Sequence, residues 1–207
     1  GVKAFAPAKP DRIFHYGGSA ELWLLNGTGE LGIDSANVTF RGLVGVDLTQ
    51  YSSPKKRLPL RFHGTLGYLV DSSGGLVEDT ENERGAPVSR VERFGLDINR
   101  VDSFLVGLGA EYVHRRVQPF VEWPIDVPNN RQSYTCNPDE ASPGDQCLGD
   151  ASGFSVTPSR LTLGAKVSPG PLGLHGLLAL DIGTGATSGF LEEVAPEVPW
   201  KLYFGLG

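Results

Sequence analysis

Apolar and polar residues alternate with a period of two through most of this chain. In the stretch 38–48 one side carries Val38, Phe40, Val44, Val46 and Leu48, and the other carries Thr39, Arg41, Gly45 and Asp47. Side chains on a strand point alternately to opposite faces, so this spacing predicts a strand with one apolar face. The pattern recurs. Leu60, Phe62, Leu66, Tyr68 and Val70 oppose Arg61, His63, Thr65 and Asp71. Phe104, Val106, Leu108, Ala110 and Tyr112 oppose Ser103, Gly107, Gly109 and Glu111. Leu161, Leu163, Ala165 and Val167 oppose Arg160, Thr162, Gly164 and Lys166, and Leu172, Leu174, Leu178, Leu180 and Ile182 oppose His175, Ala179 and Asp181. Weaker examples begin near Phe14, Phe94, Val117 and Trp200. With about nine segments, many near the roughly 9–11 residues that a tilted strand needs to cross a bilayer, the expectation is an all-β chain. Its architecture reads as one antiparallel up-and-down transmembrane β-barrel of about 8–10 strands over residues 1–207.

Alternation also fits a lipocalin-like barrel or a sandwich, whose apolar face turns inward. Three features favour the inverted arrangement. The chain has only six Lys, and its polar face is rich in Gly and small residues, whereas a soluble exterior carries denser Lys and Glu. Charges of both signs fall on that face: Glu21, Arg41, Asp47, Arg61, Arg93, Asp97, Glu111, Glu122, Arg160, Lys166, Asp181 and Lys201. Such groups can pair across a narrow lumen and close it. Aromatics such as Phe14, Tyr16, Tyr68, Phe104, Tyr112, Trp123, Trp200 and Phe204 gather near predicted strand ends, where interfacial girdles sit.

Composition narrows the picture further. Gly is abundant at 28 with 15 Pro, which disfavours long helices. No apolar run reaches the length of a transmembrane helix. Met is absent and the start, Gly1-Val2-Lys3, lacks the two regions of a signal peptide, so the chain reads as a processed or trimmed product, open to truncation at both ends. The net charge of −6 is not gathered into a basic stripe, so no nucleic-acid partner is expected. Ten residues separate Cys136 from Cys147 in a polar segment, and a disulfide is expected there, in an oxidising compartment. No His or third Cys lies beside them to complete a metal set.

No cofactor, metal or catalytic set is predicted. Gly27-Thr28-Gly29-Glu30-Leu31-Gly32 matches a nucleotide-binding glycine pattern, but a strand follows rather than a helix, so it reads as a turn. His63 and His175 fall on the polar face, where a place in the hydrogen-bonded lumen network outweighs a metal or proton role. The acidic runs Glu78 to Glu83 and Asp139 to Asp145 read as solvated loops.

Connections fall into short ones, such as His114-Arg115-Arg116 and Ser168–Pro171, and long ones, 72–89, 127–157 and 184–199. The last two share one end, taken as the exterior. Counting the segment near Phe94 as a strand puts 72–89 at the opposite end, unless a strand is miscounted. Nine strands also conflict with the usual even number, and residues 1–10 or a segment upstream could supply another.

The hairpin Gly107-Leu108-Gly109-Ala110-Glu111-Tyr112 to Pro119-Phe120-Val121-Glu122-Trp123 resembles that of OmpA-type outer-membrane barrels. Arg90–Leu96, Asn99–Asp102, Val127–Gln132 and Pro158–Gly164 are similar to barrel regions of OmpA-family proteins of myxobacteria and their relatives. The resemblance covers roughly 38–207. It implies location in the bacterial outer membrane, with lipid and other envelope or surface-complex proteins as partners. It also implies a peptidoglycan-binding domain beyond Gly207, so that peptidoglycan is met only through a part absent from this chain. The function expected is a membrane anchor or structural component of a cell-envelope protein, with a small pore or transport channel as the alternative.

Overall fold

A computed structural model of the chain describes residues 1–7, 12–26, 34–51, 53–132, 134–151, 156–167, 175–185 and 191–206. Nine strands form one antiparallel sheet in which each pairs with the next in sequence. They are β1 (Val2–Phe5), β2 (Phe14–Leu25), β3 (Ser35–Asp47), β4 (Leu60–Val70), β5 (Asp102–Tyr112), β6 (Val117–Asn130), β7 (Arg160–Val167), β8 (Gly176–Gly183) and β9 (Trp200–Leu206). The up-and-down meander agrees with the alternation. Closure does not follow: among the described residues no pairing joins β1 to β9, so the sheet is open rather than a closed barrel. With nine strands the two edges run in the same direction, and pairing them would require a parallel ladder unlike every other in the sheet.

Directly opposed residues share a face, so the register carries one face across the sheet. Phe40 opposes Tyr68, Tyr68 opposes Phe104 and Phe104 opposes Val127. Leu163 opposes Leu180, which opposes Leu202. This apolar face is the exposed one: Leu66 is 65 % exposed and Leu108 55 %. The opposite, polar face is covered toward the ends of the strands that meet the long connections, with Thr39 at 4 % and Asp181 at 5 %, and open farther along, where His63 and Lys166 are exposed. The usual order of a water-soluble sheet is thus reversed.

Two helices lie between β4 and β5: α1 (Glu78–Arg84) and α2 (Arg90–Leu96). The strand expected near Phe94 is therefore α2. Ser89 and Glu92 cap it reciprocally, the side chain of each bonding the other's backbone N–H. Phe94 and Leu96 are exposed on it. Removing this strand resolves the topology, because 71–101 then joins β4 to β5 at the same end as 131–159 and 184–199. The count returns to nine through Val2–Phe5, within the residues 1–10 considered for a further strand. The start of the strand expected from Leu172, the turn 168–171 and the glycine pattern 27–32 lie outside the described residues.

The apolar core is small and sits in these connections, not on the sheet. Val77, Val88 and Ile98 are buried together with Leu76 against them. The long connections thus form a packed cap over one end of the sheet's inner face. Pro124 and Pro128 fall where β6 runs past its regular ladder with β7, and Pro128 adjoins a register shift at Asp102/Ser103, so their missing N–H groups cost few ladder bonds.

Candidate functional site

Charged side chains on the inner face pair across neighbouring strands. Arg41 lies 3.4 Å from Glu21, and Arg61 lies 2.9 Å from Asp47 and 3.9 Å from Glu111. Lys166 reaches Glu111 at 3.3 Å and stands 5.1 Å from the ring centre of Phe120. Arg160 donates to Asp181 at 2.7 Å and to Glu197 at 2.7 Å, and Lys201 meets Glu197 at 3.0 Å. One register row, His63–Gly109–Glu122–Thr162–Asp181–Lys201, crosses six strands. His63 Nε2 lies 3.4 Å from Glu122 Oε1. It reaches across β5 because Gly109 has no side chain; a Cβ there would collide with the His63 ring.

Ten of the twelve charged residues singled out from the sequence thus lie on strands in such pairs. Arg93 and Asp97 do not. Arg93 is in α2, and Asp97 ends that helix in a left-handed conformation (φ 53°), which Asp tolerates better than most residues.

Arg93 is the hub of the cap. Its side chain is fully buried. One guanidinium nitrogen donates to three backbone carbonyls, of Leu191 at 2.7 Å, Glu192 at 3.0 Å and Val194 at 2.9 Å. The other donates to Asp145 and lies 3.2 Å from Glu192 Oε2. Arg90 also binds Asp145. Three connections distant in sequence therefore meet at one cation. Burying such a group costs several kcal/mol unless it is paired and hydrogen-bonded, which is what these loops supply. Arg93 Nε and Glu192 Oε1 have no hydrogen-bond partner among the described residues, so compensation is incomplete.

Cys136 and Cys147 form the expected disulfide, with Cα atoms 5.7 Å apart. It closes the loop that carries Asp145. Beyond Cys147, the Leu148 N–H donates to the buried Glu193 carboxylate at 2.9 Å. Glu193 lies within 4.8 Å of both sulfurs, but bonded sulfurs offer no thiolate to a metal. Arg100 pairs with Glu81 and lies 4.1 Å over the Tyr134 ring. Asn99 donates to Asp71 at 3.1 Å and accepts from the Ala195 N–H at 2.8 Å, linking the cap to the strand ends.

Between cap and sheet lies a cavity of about 430 Å³ lined by Trp23, Asn37, Asp71, Asp97, Asp126 and Glu197. A second of about 570 Å³ continues down the inner face past Arg41, His63 and Glu122. The two share Leu69 and Asp126. The arrangement is a trough that is acidic under the cap and carries both signs of charge farther down the inner face. His63 and Glu122 form a His–carboxylate pair in this trough.

No family model, curated protein or solved structure matches this chain. Its inner face and cap must be read from their own chemistry.

That chemistry gives the cap a pH dependence. Burial raises the pKa of Asp71, with Asp97 adding to it, and raises that of Asp97, with Glu197 adding to it. Burial also raises Glu192, against the pull of Arg93. A carboxyl that holds its proton more tightly when folded stabilises the fold below its unfolded pKa of about 4, and that contribution is lost as pH rises through the raised value. Glu92 runs the other way. Held at about 2 by the Ser89 N–H and Arg84, it favours the fold above its ordinary range and stops doing so as pH falls toward that value. Cap amides are expected to lose protection from hydrogen exchange as pH rises from about 4 to about 7.5, after correction for intrinsic rates. Protection that increases over that interval would contradict the assignment.

Proposed function

We propose that the nine strands form part of the wall of an outer-membrane β-barrel that anchors a cell-envelope protein, with the cap on the exterior. The observation that carries this reading is the reversed sheet, apolar and exposed outside with ion pairs inside. An Arg or Lys facing lipid at mid-depth costs about 2–4 kcal/mol, which would keep an outer face apolar. Strands β2 to β6 are long enough to cross a bilayer. In lipid a bare strand edge is costly, so the seam between β1 and β9 calls for a further strand, and an antiparallel one would make the number even. The disulfide suits an oxidising compartment. The resemblance to OmpA-type barrels agrees with this reading and remains part of the proposal, as do partnership with lipid and envelope proteins and attachment to peptidoglycan through chain outside residues 1–207. We assign no catalytic role.

The second reading, a small pore, draws on the two adjoining cavities. The packed cap and the ion pairs of both signs deeper on the inner face favour the anchor, whereas the one-sign carboxylate lining directly under the cap is what a cation pore would share. The purified chain is expected to need detergent or lipid to stay monodisperse and to give no steady openings in planar bilayers. Monodispersity in plain buffer would overturn the membrane reading, and steady single-channel openings would replace the anchor with the pore.

A further inference from the structure

The two ends of the sheet carry opposite charge. At the cap end the described connections hold fifteen carboxylates against five arginines. At the turn end, the described parts of 6–13, 48–59, 113–116 and 175 hold Arg12, Lys55, Lys56, Arg57, Arg115 and Arg116, and no carboxylate. None of these six forms an ion pair among the described residues, and all but Arg12 are exposed. The Val113 N–H donates to Pro59 O at 2.8 Å, and Leu60 opposes Tyr112, so the turn carrying Arg115 and Arg116 abuts the connection carrying Lys55 to Arg57. Arg12 lies 5.0 Å from the ring centre of Tyr16, an exposed outer-face residue near the strand end. The cations thus start where the apolar face stops.

We infer that the turn end is a docking surface for anionic phospholipid headgroups. The inference rests on the membrane reading above and adds which leaflet chemistry the protein seeks. A belt of cations continuous with an apolar wall meets headgroup phosphates at the depth where acyl chains end, a geometry that a free polyanion does not require. Basic residues beside a membrane surface each strengthen attraction to anionic lipid by about fivefold. The carboxylates of the opposite end would be repelled by the same layer, so one charge gradient sets both affinity and orientation.

Native mass spectrometry of the detergent-solubilised chain tests this with phosphatidylglycerol, phosphatidylcholine and inorganic phosphate as separate probes. The wild type is expected to retain phosphatidylglycerol at least about tenfold more strongly than phosphatidylcholine. The variant with Lys55→Gln, Lys56→Gln, Arg57→Gln, Arg115→Gln and Arg116→Gln should lose that preference. Salt at about one molar, where the screening length is about 3 Å, should remove it from the wild type without any substitution. Equal retention of the two lipids, an unchanged preference in the variant or in salt, or displacement of phosphatidylglycerol by equimolar inorganic phosphate would overturn the inference. Each of these can occur in a chain that needs detergent, so the inference can fail while the membrane reading stands.

Discussion

Replacing Arg93 with Met is expected to destabilise the cap by about 3–5 kcal/mol, the usual cost of removing one partner from a buried ion cluster. The loss comes mostly from what stays behind. Asp145 and Glu192 would remain buried without their cation, and the carbonyls of Leu191, Glu192 and Val194 would lose their shared donor. Arg90 keeps its contact with Asp145 and softens the effect. Hydrogen exchange of 71–101 and 191–199 reads the change directly, and the strands should be less affected. Combining Arg93→Met with Asp145→Asn and Glu192→Gln should restore part of the loss, because the stranded charges go with their partner. A single-variant loss below about 1 kcal/mol would mean that water reaches the cluster and that it does not hold the three connections together.

Leu66→Arg and Leu163→Arg, at the centres of the exposed faces of β4 and β7, discriminate between solvents for that face. Facing lipid, each is expected to lower stability in bilayers by about 2–4 kcal/mol. Facing water, an exposed Leu→Arg change stays within about 0.5 kcal/mol. The two sites lie on strands separated by β5 and β6, so their effects should add. Equilibrium unfolding from vesicles measures both. Two small effects would mean that the apolar face is not embedded, and the anchor and the headgroup belt would fall together.

Much of the sheet was legible because its signal is local. Period-two alternation fixes which side chains share a face, and antiparallel register then carries that face from strand to strand. The pairs of Arg61 with Asp47 and of Arg160 with Asp181 follow from residues on one side of adjacent strands. The segment near Phe94 was misread because alternation over a few residues overlaps with one helical turn. The signal that separates them was present, since Ser89 and Glu92 stand at the spacing of a reciprocal helix cap. A helix there puts 72–89 at the cap end. Asp145, Glu192, Glu193 and Arg100 gave no such sign. Asp145 sits in an acidic run that reads as a solvated loop, the others lie in connections with no periodic pattern, and each is buried only because loops far apart in the chain converge.

By itself the sequence determined a meander of strands with one apolar and one charged face, and a disulfide between Cys136 and Cys147, because alternation and short cysteine spacing act over a few residues. Only the tertiary structure decided that the apolar face is the exposed one, that the sheet stays open between β1 and β9, and that a buried arginine gathers three loops into a cap. Those outcomes depend on which surfaces meet, and burial is set by contacts between segments up to about a hundred residues apart, where no local pattern reaches.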